Sequence, residues 1–234
     1  RRKSQQTVLE GVHLLDAYQR RGLTPHYLCL TEAALKHPEV THLLGEWPML
    51  DVLVIAESLY QELRTLGQGI DVMGVIDQIA PDLPTQFDQD VLILENVQDA
   101  GNVGTLLRTA AAAGIQQVIC TTGTASIWSP RVLRAGMGAQ FSLYIYEHVA
   151  LDQVWSSLPT ARYATSSHAT TSLYQLDLRQ PHVWVMGNEG QGASPTAMQH
   201  AQPISIPQPG GQESLNVAIA GAICLFEAVR QRSH

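Results

Sequence analysis

Apolar residues recur along the chain with two periods, and the two alternate from end to end. Val8, Val12 and Leu15 stand at helical spacing ahead of Arg20-Arg21-Gly22, which predicts a first helix and its stop. An apolar strand over 27–30, a second helical stretch, a strand over 52–56, a helix over 58–66 and a strand over 72–76 follow. Residues 80–86 carry two prolines and no periodicity, which predicts a linker. A second series begins at 91–94, an apolar run of the length of a buried parallel strand. Next come a helix over 103–113 closed by Gly114, a strand over 117–121, and a helix opened by Ser129 as N-cap with Pro130 at its first position. Strands over 143–146, 162–165, 183–186 and 203–206, a helix near 151–158 and a closing helix over 214–230 complete the series. This alternation predicts an α/β fold with a mostly parallel sheet covered on both faces. The expected division is an accessory unit over 1–79, a linker over 80–89 and a larger unit over 90–234.

Composition changes the picture in three ways. With 45% hydrophobic and 15% charged residues among 234, the chain has enough to bury a core and is not of the disordered class. No apolar run reaches the ~18 residues of a membrane span, and the polar start Arg1-Arg2-Lys3-Ser4 leads into no hydrophobic segment, so neither a membrane protein nor a secretory signal is expected. The first residue is not methionine, so the natural chain is expected to begin earlier. Cys29, Cys120 and Cys224 form no close pair, which predicts buried thiols in a reducing cytoplasm rather than disulfides or a metal site.

The net charge of −7 confines any nucleic-acid contact to a patch. Twelve of the fourteen basic residues are arginine, a bias that suits planar contacts to phosphate. The candidates are Arg1, Arg2 and Lys3 at the start, Arg20 and Arg21 at the end of the first helix, and Arg131 and Arg134 one helical turn apart. Arg20 and Arg21 are equally suited to capping a helix dipole.

Three segments carry candidate chemistry. The first, over 96–110, joins a buried strand to a helix, where free N–H groups and the helix dipole favour an anion. In it Asn102 is placed as an N-cap, Gly104 permits close backbone approach, and Arg108 lies less than two turns further on. A capped helix with a surface arginine explains the same residues. The second, Gly187-Asn188-Glu189-Gly190-Gln191-Gly192, is a glycine-rich turn at a strand end, where α/β sheets bind ligands; a tight turn alone also recruits these glycines. The third runs from Ile206-Pro207 through a Pro/Gly loop to Ser214-Leu215-Asn216 at a helix entry, with Ser214 as an alternative plain N-cap.

Together these segments resemble the three signature motifs of the SpoU/TrmH family of RNA ribose 2′-O-methyltransferases, within the SPOUT superfamily. The likeness covers the whole second unit in the family's order. The first unit is similar to the family's accessory RNA-binding domain through Leu9-Glu10-Gly11, placed on an early helix, and Gln68-Gly69-Ile70 before the last strand. The resemblance implies a deep trefoil knot and a bent S-adenosylmethionine held by Ala164-Thr165-Ser166, by Gly187, Asn188 and Gly190, and by Ile206, Pro207, Leu215 and Asn216. It implies catalytic roles for Asn102, Arg108, Glu189, Ser214 and Asn216, with Glu189 fixing a neighbouring chain or Arg108. It also implies a homodimer, no metal, and an RNA substrate, ribosomal in preference to transfer RNA because of the accessory unit.

The resemblance implies Arg108 as the acceptor of the hydroxyl proton. Because a guanidinium normally stays charged, a stabiliser of the alkoxide and a holder of phosphate are the alternative roles, and the sequence leaves the proton's destination open. Val217, Ala220, Gly221, Cys224 and Leu225 give the closing helix an apolar face with small residues, suited to a dimer contact or to covering its own sheet. A nicotinamide-dependent dehydrogenase lacks its glycine fingerprint here, and a metal hydrolase lacks clustered histidines. A non-catalytic RNA-binding module has no need of the five polar residues named.

Overall fold

The computed structural model describes residues 5–65, 67–211 and 214–233; Arg1, Arg2 and Lys3 lie outside them. The first sheet is mixed. Its strands are β1 (Gln6–Glu10), β2 (Tyr27–Thr31), β3 (Asp51–Ile55) and β4 (Val72–Asp77), in the order β1-β4-β2-β3, with only β2 and β3 parallel. Helices α1 (Val12–Gln19), α2 (Glu32–Leu35), α3 (Pro38–Glu46) and α4 (Glu57–Leu63) connect them.

The six-stranded sheet is parallel throughout. It contains β5 (Val91–Leu94), β6 (Gln117–Thr121), β7 (Tyr144–Val149), β8 (Ala161–Thr165), β9 (His182–Met186) and β10 (Gln202–Ile204), in the order β10-β8-β9-β5-β6-β7. The chain builds outward from β5 through β6 to β7, then crosses to the other side, so strand direction of growth reverses between β5 and β9. Ligand crevices of open α/β sheets form at such a reversal, beyond the carboxyl ends of the strands. Alternate residues of β5 feed the two cores: Leu92 and Leu94 face α5 (Ala100–Ala112), α6 (Pro130–Gly136) and α8 (Val217–Arg232), while Val91 and Ile93 face Leu151, Trp155 and α7 (Pro195–His200). Among the described residues no helix is long and apolar enough to cross a membrane.

Several local expectations give way to tertiary pairing. Val8 and Leu9 belong to β1, not to a helix, because β4 offers them a full antiparallel partner and Gly11, at φ 92°, breaks the chain before α1. Leu9-Glu10-Gly11 therefore sits at a strand end. The stretch near 151–158 is two 3₁₀ turns, Leu151–Gln153 and Trp155–Ser157, ended before Pro159. Asp99, not Asn102, caps α5 by accepting from the Asn102 N–H at 2.8 Å, and Asn216, not Ser214, caps α8. Ser129 caps α6 as expected. Helix α7 was not anticipated, although Ser194-Pro195 repeats the cap signature of Ser129-Pro130.

The small residues of α8 face inward. Ala220, Gly221, Cys224 and Leu225 are buried in their own chain, and a Cβ on Gly221 would collide with Leu106. That face covers the sheet. Gly104 similarly lets α5 meet α6, since a Cβ there would strike Ala135 and the Gly136 backbone.

The two sheets are packed against each other. The Tyr18 and Phe141 rings meet edge-on at 5.1 Å, the Thr7 hydroxyl donates to the Trp128 carbonyl at 2.8 Å, and one continuous core joins Leu15 and Leu28 to Leu133 and Phe141.

Candidate functional site

The site is assembled from the loops that follow β5 and β9 and from the entry to α8. After β9 the chain turns so tightly that a Cβ on Gly187 would collide with the backbone of Gly192 and Ala193. Paired backbone bonds between Asn188 and Gly192, at 3.0 and 2.8 Å, close the turn. The Asn188 side chain organises it from inside, accepting from the Gly190 and Gln191 N–H groups and donating to the Asn96 carbonyl at 3.0 Å. At the far end Ser194 donates its hydroxyl and its N–H to Glu95 at 2.6 and 2.8 Å. The glycine turn is thus tied to the β5 end twice.

Glu189, at the tip, reaches across to the β5–α5 loop. It accepts from the Gln98 N–H at 3.2 Å, the Asp99 N–H at 3.0 Å and the Asn102 side-chain amide at 3.1 Å. Partial burial pushes its carboxyl up; the Asn102 amide and the Asp99 and Gln98 N–H groups outweigh this and hold it below the ordinary glutamate range. Asn102 then passes the connection on, accepting from Asn216 Nδ2 at 2.9 Å, while Asn216 Oδ1 caps α8. Three segments separated by about ninety and thirty residues meet in one chain of side-chain bonds. Within the chain Glu189 grips this loop rather than Arg108.

On one side of the bridge lies a cavity of about 320 Å³. Thr165, Ser166, Gly187, Asn188 and Gly190 line it from the ends of β8 and β9. Ile206, Gln208, Ser214 and Leu215 close it from the last crossover. The volume is at the small end of the range for ligand sites. Gln208 Oε1 is buried there without a hydrogen-bond partner, which leaves an acceptor for a donor group of a bound molecule. Ala164 is fully buried in the core, and Pro207 and Asn216 are not among the cavity's lining residues.

On the other side is an open groove of about 860 Å³ whose walls include Gln98, Asp99, Arg108, Arg131 and Arg134. Glu189 lines the cavity, and the loop it holds lines the groove, so the bridge is the partition between them. Arg20 and Arg21 are not part of this groove; they lie at the far end of α1, where Arg20 pairs with Asp16 at 2.8 Å. Sequence reasoning missed Glu95, Asn96, Gln98, Asp99 and Gln208. Only Asp99 carried a local signal, as an acidic residue three positions ahead of a helical N–H.

Comparison with known proteins agrees with this geometry. The model of the SpoU rRNA Methylase family matches residues 89–226. The chain is 33% identical to an uncharacterized tRNA/rRNA methyltransferase of Synechocystis, over 99% of this chain and 86% of the relative. It is 35% identical to a 23S rRNA (guanosine-2′-O-)-methyltransferase of Pseudomonas aeruginosa, over 98% of both chains. An AdoMet-bound rRNA methyltransferase from Sinorhizobium meliloti superposes with a TM-score of 0.84 at 28% identity, over 98% of this chain and 89% of that one.

Proposed function

Because the chain belongs to the SpoU rRNA methylase family, we propose that it transfers the methyl group of S-adenosylmethionine to a ribose 2′-hydroxyl of ribosomal RNA. The observation that carries the reading is the Glu189–Asn102–Asn216 bridge, which joins a ligand-sized cavity to an arginine-lined groove.

The cavity residues hold the cofactor in this reading. Gln208 Oε1 takes a donor from it, Thr165, Ser166 and Ser214 supply polar edges, and Ile206 and Leu215 supply apolar ones. When bound, the sulfonium supplies an electrophilic methyl. The rest of the catalysis is positioning, since in-line displacement depends on the approach of the two reacting atoms. Asn102 and Asn216 orient the ribose at the partition. Glu189 keeps the β5–α5 loop in place beneath them and acts through that loop. Arg108 projects from α5 into the groove and stabilises the negative charge that grows on the 2′-oxygen as its proton leaves.

Three finer features belong to the same proposal. Residues 1–79 form the accessory RNA-binding unit and residues 90–234 the methyltransferase unit. The C-terminal chain is knotted in this proposal, a reading supported by the packing of the end of α8 against the 176–180 segment, where Gln231 donates to the Leu176 carbonyl and accepts from the Leu178 N–H, and Arg232 donates to the Leu178 carbonyl. The protein is a homodimer through the outer face of α8, where Ile219 and Phe226 are 52% and 47% exposed with Ile223 between them.

The test is incubation of the protein with methyl-labelled S-adenosylmethionine and ribosomal RNA from cells lacking the gene. Label in alkali-resistant dinucleotides is expected. Label on a base, or in transfer RNA alone, overturns the assignment of the acceptor.

A further inference from the structure

We propose that the groove between the two sheets is a phosphate track for unpaired RNA, in which Arg131 and Arg134 hold the phosphates beside the nucleotide presented to Arg108. The inference rests on the methyltransferase reading and adds the residues that place its substrate.

The first support is the distribution of arginine partners. Arg20, Arg64, Arg179, Arg230 and Arg232 each meet a carboxylate, and Arg162 donates to three main-chain carbonyls. Among the described residues the side chains of Arg21, Arg108, Arg131 and Arg134 meet none. Three of these four line one groove. In a chain of net charge −7, acidic groups are plentiful, yet these three guanidinium groups converge on a single hollow beside the bridge, whose one acidic lining residue among those described is Asp99. Such a cluster repels itself until an anion is bound, and the guanidinium fork matches phosphate oxygens.

The second support is the geometry of α6. Arg131 and Arg134 are three residues apart on this helix, so both project from one side of it, and both are exposed. Ser129 caps the helix and the buried Val132 and Leu133 seat it in the core, so the two stems start from a fixed base.

The third support is the continuation of the groove. Arg134 and Met137 also line a second hollow of about 400 Å³, whose other wall is Glu10–Leu14, Glu39, Arg64 and 68–70 of the first unit, so the phosphate-holding stretch is the part at Arg131 and Arg134. Met137, 44% exposed, stands where the hollows join and offers an apolar surface to a base. The walls cannot drift apart freely. Tyr18 packs on Phe141, Thr7 bonds to Trp128, and Gly138 sits so close to Ala17 that it has no room for a Cβ. The first unit therefore acts as a rigid wall of the track and not as an arm on a flexible tether.

The experiment measures binding of a fluorescein-labelled single-stranded oligoribonucleotide across a salt series, alongside calorimetry with S-adenosylmethionine and methylation kinetics on ribosomal RNA. The Arg131→Gln/Arg134→Gln protein is expected to bind the oligonucleotide about tenfold or more weakly. Its logarithmic salt slope should flatten by about 1.4, the value for two phosphates on a single strand. Cofactor affinity should hold, KM for RNA should rise, and kcat at saturating RNA should stay near that of the parent. Arg131→Lys/Arg134→Lys, which keeps the charge, should restore the slope. Arg20→Gln/Arg21→Gln, outside the groove, should leave it unchanged. A parental slope in the Gln pair overturns the track, as does failure of the Lys pair to restore it. A parent protein that binds the oligonucleotide with the expected slope but methylates no RNA sinks the methyltransferase reading and leaves the track standing. Methylation with an unaltered slope in the Gln pair does the reverse.

Discussion

Strand β9 has a polar cluster at each end, and the two are built for different purposes. At its first residue His182 is fully buried, its N–H donating to Asp90 at 3.0 Å and its ring against the Gln180 carbonyl at 3.0 Å. Arg232 grips both Asp90 oxygens at 2.5 and 2.9 Å and also donates to the Gln180 and Leu178 carbonyls. Every bond there joins one part of the chain to another, so the cluster fastens the end of α8 to the starts of the strands. Just past its last residue, the glycine turn carries Glu189 into three bonds of 3.0 to 3.2 Å that reach across to the β5–α5 loop, between two hollows open to ligands. Hydrogen bonding therefore does not separate a strut from a site. Nor does adjoining empty volume, since a hollow of about 430 Å³ lies beside Asp90 and Arg232; guanidinium groups without carboxylates, in the groove beside the second cluster, do.

The largest expected effect is at the Glu189 end. Arg108→Ala should lower kcat by about 10²–10³-fold. Its side chain is exposed, so the stability should change by no more than about 0.5 kcal/mol. Turnover and thermal melting of the same preparation check both halves, and a collapse of the melting transition would make Arg108 a strut.

Gly187→Ala comes next, because it forces the turn open without touching a polar group. A displacement of ~1 Å in a positioning loop costs about 10²-fold in rate. Cofactor affinity by calorimetry should fall with it, while the Asp90 cluster at the other end of β9 keeps its role. Parental cofactor binding in this variant would remove the turn from the site.

At the Asp90 end the signs reverse. Asp90→Ala leaves Arg232 with main-chain carbonyls but no carboxylate and the His182 N–H without its acceptor, and is expected to cost about 2 kcal/mol, below the ~3–5 of a fully buried pair because Arg232 is partly exposed. Urea denaturation measures it. The KM for S-adenosylmethionine should not move.

The smallest effect is a pH dependence. Burial pushes the His182 pKa down; Asp90 and the Gln180 carbonyl pull it up, Arg232 adds to the lowering, and the net direction is down. The Tyr163 and Trp184 rings complete its surroundings. With the folded pKa below the unfolded value of about 6.5, the unfolded chain takes up the proton first as pH falls. The contribution of His182 is thus full above about 6.5 and is lost as pH drops through the lowered pKa. His182→Phe should flatten the stability profile in that window. Glu189, held below the ordinary carboxylate range, keeps its charge there, so cofactor binding should persist until the pH is lower still.

The sequence by itself determined the alternation of strands and helices, because periods of 2 and 3.6 are local properties of a side-chain pattern. It also marked the three segments at strand ends, and the Ser129-Pro130 helix start, through glycine, proline and capping residues that act within a few positions. Helix α7 carried the same Ser-Pro signature, but six residues are too few for a helical period to show. What only the tertiary structure decided spans long stretches of chain. Glu189 meets partners 87 to 91 residues away, and Asn216 meets Asn102 across 114. Val8 and Leu9 became a strand once β4 was beside them, and the small residues of α8 turned to the sheet instead of outward. Strand order and crossover direction place these groups together. Those are set by the summed burial of the whole sheet, which no local pattern of residues encodes.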